Sequence, residues 1–247
     1  MKRAVPFVLF PVAGVAAAVL RQFQLSEAYT SSGLPIPGQG STLALLLLSL
    51  AAALGALIYS LLCRPKFGGE GLPACAGRSG CTVGMTVAGF LVLIGGALTA
   101  MESLIPSLRI AWMILAVLMV LSGALMVVGA LQLKKDHRTC VGRLLLLPDF
   151  ACCLWLVLFY QSNAADPILM DYVFRLLAMV CILLGLYFTT AQTYRLRRAR
   201  RAAFFCLMGG YLSLLCLGEP LTLGSLALMV GFALYLFFCA GILTLGK

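Results

Sequence analysis

The chain has 247 residues, 62% of them hydrophobic and 11% charged, with a formal charge of +10 and a mean hydropathy of +1.06. A soluble domain carries about 25% charged residues, so this composition excludes an ordinary water-soluble fold and points to lipid. The basic excess falls in short groups between apolar runs and forms no extended basic face, which excludes nucleic-acid binding and reads as a topology signal.

A transmembrane helix needs about 20 mostly apolar residues. Eight runs meet that requirement: Ala4–Leu20, Ser41–Cys63, Val83–Met101, Ile110–Leu131, Leu144–Tyr160, Ile168–Gln192, Ala202–Leu217 and Leu223–Thr244. The first contains Pro6 and Pro11, and the seventh is the shortest. The gaps between runs are too short for a soluble domain. The sequence therefore predicts an all-α, polytopic helix bundle, residues 1–247 forming one transmembrane domain.

The connecting segments test that count. Lys2 and Arg3 precede the first span, and Lys247 ends the chain. Arg64, Lys66 and Arg78 follow the second span, Lys134, Lys135, Arg138 and Arg143 the fourth, and Arg195, Arg197, Arg198, Arg200 and Arg201 the sixth. All but Arg21, Arg109 and Arg175 of the 18 basic residues thus fall on one side of an eight-span topology. Basic loops stay cytoplasmic, so both termini are expected inside. Lys2-Arg3, the apolar stretch and Ala16-Ala17-Ala18 also have the form of a secretory signal. Retention is the expectation, because the apolar run is long for a signal and another span follows.

Helices in lipid associate through close packing and polar contacts. Small residues four apart occur at Ala13/Ala17, Gly14/Ala18, Ala51/Gly55, Ala52/Ala56, Gly96/Ala100, Gly209/Ser213 and Ala227/Gly231. Packing within the bundle is the expected use, with a homo-oligomer the other. Glu102 precedes Pro106, Asp166 precedes Pro167, and Glu219 precedes Pro220, each ahead of an even-numbered span. First-turn proline and an acid near the positive helix end explain this pattern without internal duplication.

The candidate ligand-binding residues begin with Asp171 and Arg175 in the sixth span, spaced i,i+4 with the acid first. A charge about 10 Å along the helix is costly unless paired, hydrated or snorkelling. One reading is an outward-facing charged cavity shared with Tyr172, Glu102 and Arg109; the other, which we favour, is an interfacial ion pair with Arg175 reaching the headgroups. Asp149, in Leu147-Pro148-Asp149-Phe150, is the second candidate. If Leu144–Leu147 lies in the membrane, Asp149 is an intramembrane acid able to take a proton or cation. If Pro148 instead starts the helix, as we expect, Asp149 complements its first turn. Thr189, Thr190, Gln192 and Tyr194 make the far end of that sixth span polar, for helix contact or anchoring.

Of the 10 cysteines, Cys63, Cys152, Cys153, Cys181, Cys206, Cys216 and Cys239 fall in or at the ends of apolar runs, where Cys acts as a small hydrophobe. Cys75 and Cys81 with His137 and Cys140 offer zinc-type ligands, but neither spacing is a zinc signature, and no metal or cofactor is expected. His137 is the only histidine, and the chain has no Walker A, G-x-S-x-G or H-E-x-x-H motif. No catalytic residue is assigned, and nothing positive supports an enzyme.

Leu147-Pro148-Asp149-Phe150 through Trp155, then Asp166-Pro167-Ile168-Leu169 through Tyr172, resembles uncharacterised multi-pass membrane proteins of anaerobic Firmicutes-type bacteria. The resemblance covers about a third of the chain. It implies a bacterial cytoplasmic membrane and brings no activity, substrate or site residue. The expected function is a small-solute transporter or substrate-binding membrane subunit, with the lipid bilayer and a protein partner or second copy as neighbours. The alternative is a membrane-embedded sensor, regulator or assembly partner without catalytic activity.

Overall fold

In a computed structural model of the chain, residues 6–27, 39–62, 79–102, 109–134, 138–164, 169–194 and 199–245 are described. They form eight helices: α1 (Pro6–Glu27), α2 (Gly40–Leu62), α3 (Ser79–Glu102), α4 (Arg109–Lys134), α5 (Arg138–Asn163), α6 (Leu169–Thr193), α7 (Ala199–Leu215) and α8 (Leu223–Leu245). All eight are long and apolar enough to cross a membrane. A hydrocarbon solvent offers no partner to a backbone N–H or C=O, so each segment must satisfy its own by folding as a helix. The shortest, α7, continues into a 3-10 turn, Cys216–Gly218, which extends its apolar length.

Consecutive helices run antiparallel. The last turns of α1, α3, α5 and α7 and the first turns of α2, α4, α6 and α8 share one end of the bundle, called here the distal end. The other helix ends share the opposite, terminal end. Helices α3, α4, α5, α6 and α8 pack in sequence as a ring, and α7 backs the joint between α6 and α8. Inside the ring Trp155 of α5 stacks on Phe232 of α8, with centroids 6.1 Å apart. The α1–α2 hairpin lies outside the ring and packs on α7. Tyr211 and Ser49 hydroxyls, 3.2 Å apart, tie α7 to α2.

Burial follows this plan. The short α7 is the most buried helix and the outlying α2 the least. Several of the small-residue pairs work as close-approach points: a Cβ on Gly14 would meet Leu214 of α7 at 2.8 Å, one on Gly96 the Val120 backbone of α4 at 2.7 Å, and one on Gly231 the Val92 side chain of α3 at 2.9 Å. Gly55 is different, with only Phe10 near, at 3.9 Å. Buried hydroxyls bond within their own helices: Thr99 donates to Gly95 O at 2.8 Å, Ser122 to Leu118 O at 2.6 Å and Ser213 to Gly209 O at 2.6 Å.

Helix α5 corrects one expectation. It starts at Arg138, so Pro148 is an interior residue and Asp149 an intramembrane acid, not a first-turn complement. Leu144–Leu147 is apolar enough to belong to the span. Proline is tolerated within membrane helices because neighbouring groups re-satisfy the backbone it frees.

Candidate functional site

Two groups of buried polar residues lie inside the bundle, one at each end, and they are built differently.

At the distal end, Glu219 follows the 3-10 turn after α7 and turns inward, its side chain 2% exposed. Arg21 of α1, fully buried, donates from one terminal nitrogen to Glu219 Oε1 at 3.1 Å and from the other to Gln24 Oε1 at 2.8 Å. Gln24 in turn donates to Thr42 Oγ1 of α2 at 3.0 Å. Arg175 of α6 donates from Nε to Glu219 Oε2 at 3.1 Å, and its terminal nitrogen lies 3.1 Å from the same oxygen. Each guanidinium also sits over a ring, Arg21 over Phe174 at 5.2 Å and Arg175 over Phe159 at 5.3 Å. Burial pushes the Glu219 carboxyl up from the ordinary carboxylate range, and the two arginines oppose that shift. Gly218 lets this turn close on α1, since a Cβ there would collide with the Ala18 carbonyl. The cluster joins α1, α2, α6 and the α7–α8 connection through paired groups.

The expected partner of Arg175, Asp171, has a side chain outside the described residues. The ion pair that Arg175 makes is with Glu219, 44 positions away in sequence. Tyr172 is buried edge-on against Phe159, centroids 6.4 Å apart. Glu102 accepts a bond from the Gly224 N–H at 3.0 Å and so closes the first turn of α8. The side chain of Arg109, at the start of α4, is not among the described residues. Of the distal candidates, Tyr172 and Arg175 lie together beside Phe159, while Glu102 is engaged at the α3–α8 contact. Sequence spacing missed Arg21 and Glu219. Its own signal was the exception it noted: Arg21 and Arg175 break the one-sided basic pattern, and a buried cation requires an acid at the same end.

The second group lies inside the ring, toward the terminal end. Asp149 of α5 is 8% exposed, and neither carboxylate oxygen has a hydrogen-bond partner among the described residues. Thr190 of α6 approaches it, without a hydrogen bond of acceptable geometry, and the Thr190 hydroxyl is itself without a partner there. Tyr235 of α8 lies within the field of Asp149 and interacts with Cys239 on its own helix. Thr189 differs from its neighbour: its hydroxyl donates to Gly185 O at 2.7 Å and lies 3.5 Å from Cys206 Sγ. A cavity of about 10 Å³, room for a single water, is lined by Leu145, Thr189, Thr193, Tyr235 and Cys239 among others. Leu145 is one helical turn from Asp149 on the terminal side; Asp149 and Thr190 are not themselves among the lining residues.

Cys75 and His137, half of the zinc-type ligand set, fall outside the described residues; Cys140 lies in α5 and Cys81 in α3. Among the described residues no three His, Cys, Asp or Glu side chains gather as a metal site would require. Compared with family models, curated proteins and solved structures, the chain matches none of them.

Proposed function

We propose that the chain is a membrane carrier for a small solute, or the substrate-binding membrane subunit of one, working through the interior of the α3–α4–α5–α6–α8 ring. The observation that supports this reading is Asp149, a buried acid within a span and without a partner among the described residues. An ionisable group in a membrane helix is expensive and faces a bundle interior where it serves a pathway, relay or ligand. The neighbouring Thr190 hydroxyl is a second polar group without a partner among the described residues, and a cavity with room for one water lies one helical turn away at Leu145. The basic residues favour termini on the cytoplasmic side, and the resemblance to anaerobic bacterial proteins favours a bacterial cytoplasmic membrane. On that orientation the Asp149 group lies in the inner half of the membrane and the Glu219 cluster in the outer half.

The test is a thermal-shift screen of purified protein against small metabolites, followed by counterflow of any hit in proteoliposomes. A solute that stabilises the wild type and exchanges across the vesicle, with both effects lost in a folded Asp149→Asn variant, supports the carrier reading. Failure of every solute, together with a stoichiometric co-purifying protein, refutes it as a stand-alone carrier. That result supports the second reading, an assembly partner or regulator. The second reading is favoured by the broad apolar face of α2 and by a groove of about 550 Å³ between α1, α3, α7 and α8.

A further inference from the structure

Asp149 lacks the partners that a buried ionised carboxylate needs. Among the described residues the groups facing it from the surrounding helices are Thr190 on α6 and Tyr235 on α8, with Cys239 of α8 and Cys206 of α7 interacting with Tyr235 beyond them. Cys152 and Cys153 follow on its own helix. Around the adjoining cavity α3 and α4 contribute Met85, Gly129 and Leu133, and Cys81 of α3 lies within the field of Cys239. None of these is a cation. On its own helix Arg143 is exposed, six positions away toward the terminal end. An unpaired carboxylate in such surroundings costs several kcal/mol or more to keep ionised, and it escapes that cost by neutralisation.

We propose that Asp149 is a reversible proton-binding site, reached from the terminal end of the bundle. The step is Asp149–COO⁻ + H⁺ → Asp149–COOH: one O–H bond forms, none breaks, and no electron is transferred. The acid then has an O–H to donate, and one acceptor stands open for it: the Thr190 hydroxyl oxygen, without a partner among the described residues. On the terminal side a single-water cavity, lined by Leu145, Thr189, Thr193 and Tyr235 but not by Asp149 itself, gives the proton its approach from the end where Arg143, Arg200 and Arg201 are exposed.

A calcium ion fits less well: the two carboxylate oxygens and the Thr190 hydroxyl fall short of the six to eight oxygens that calcium takes. The proposal deepens the carrier reading, in which this proton is the coupling ion, yet the site is testable with no solute present.

The experiment is infrared difference spectroscopy of the purified chain in lipid nanodiscs, titrated with acid and base. We expect a protonated-carboxyl C=O stretch that appears on acidification, is lost in Asp149→Asn, and shifts in frequency in Thr190→Val as the acceptor disappears. A carboxyl band identical in wild type and Asp149→Asn overturns the proposal. So does a band that sodium or potassium chloride removes at fixed pH, because the occupant is then a metal cation. If Asp149→Asn fails to fold, the Thr190→Val shift decides: a band unchanged by that substitution overturns the proposal. A titrating band, with no stabilising solute and a stoichiometric co-purifying protein, leaves the proton site standing and the stand-alone carrier reading refuted.

Discussion

Glu219 and Asp149 are both acids buried in an apolar bundle, yet Glu219 holds two arginines at 3.1 Å while Asp149 meets no hydrogen-bond partner among the described residues. The difference follows from chain position. Glu219 sits in a connection at the distal end, where arginines from two different helices reach it. Asp149 sits within α5, and its neighbours among the described residues are hydroxyls, thiols and apolar groups. A paired buried charge resists loss of either member, because the survivor is stranded. An unpaired one costs stability while it is there, and a protein retains it for something other than stability.

The first way to break this comparison is Glu219→Gln. It leaves Arg21, wholly buried, and Arg175 with an amide in place of their shared carboxylate. Breaking a buried pair costs about 3–5 kcal/mol, so we expect a large drop in thermal midpoint and in the yield of monodisperse protein on size exclusion. A variant as stable as the wild type would remove the cluster's structural role. Next in size is Arg21→Met, which keeps the Arg175–Glu219 pair and a long apolar stem. Charge-assisted hydrogen bonds contribute about 1.5–3 kcal/mol, and a loss near 2 kcal/mol is expected from the same measurements. Combined with Glu219→Gln it should cost clearly less than the sum, since both changes remove one shared interaction.

Asp149→Asn is expected to do the opposite. Exchanging a buried carboxyl without a bonding partner for an amide breaks no ion pair, so stability at neutral pH should stay within about 1 kcal/mol of wild type or rise. Thermal melts across a pH series sharpen the point. Wild type, whose carboxyl is forced to ionise in alkali while folded, should lose stability as pH rises relative to Asp149→Asn. A loss of 3 kcal/mol or more for Asp149→Asn, on the scale of about 3–5 kcal/mol for breaking a buried pair, would show that the carboxylate has a charged partner in the folded protein.

The two regions were also unequally legible. The eight spans follow from hydropathy and from the one-sided basic groups, and all eight expected runs are matched by helices, α1 running on to Glu27 and α5 starting early at Arg138. Arg175 stood out by its position in an apolar run. Its partner did not, because helical spacing relates only neighbours three or four apart, whereas Glu219 and Arg21 are 198 positions apart. Fold topology alone brings α1, α6 and the α7–α8 connection to one point. Asp149 was visible as a candidate, and the ambiguity lay in Pro148. Proline begins helices in water far more often than it interrupts them, and a sequence does not state that lipid and neighbouring helices will tolerate the break. Nor does it show that Thr189 bonds within α6 while Thr190 does not, since the two are chemically identical and differ only in the face they occupy.

That last difference gives the smallest and most discriminating comparison, Thr190→Val against Thr189→Val. The Thr189 hydroxyl donates to the Gly185 carbonyl at 2.7 Å, so its removal should cost about 1 kcal/mol, the net worth of an ordinary buried hydrogen bond. Thr190 has no such bond to lose. Valine keeps the β-branched shape that helix α6 already accommodates, so the expected change is below about 0.5 kcal/mol, the lower end of that same range. Melts of both variants in one detergent check the difference directly. Equal losses would mean that the Thr190 hydroxyl is satisfied in the membrane, by water or by Asp149 itself. In the second case acid and hydroxyl form a bonded pair, and the open acceptor that the proton site relies on is already taken.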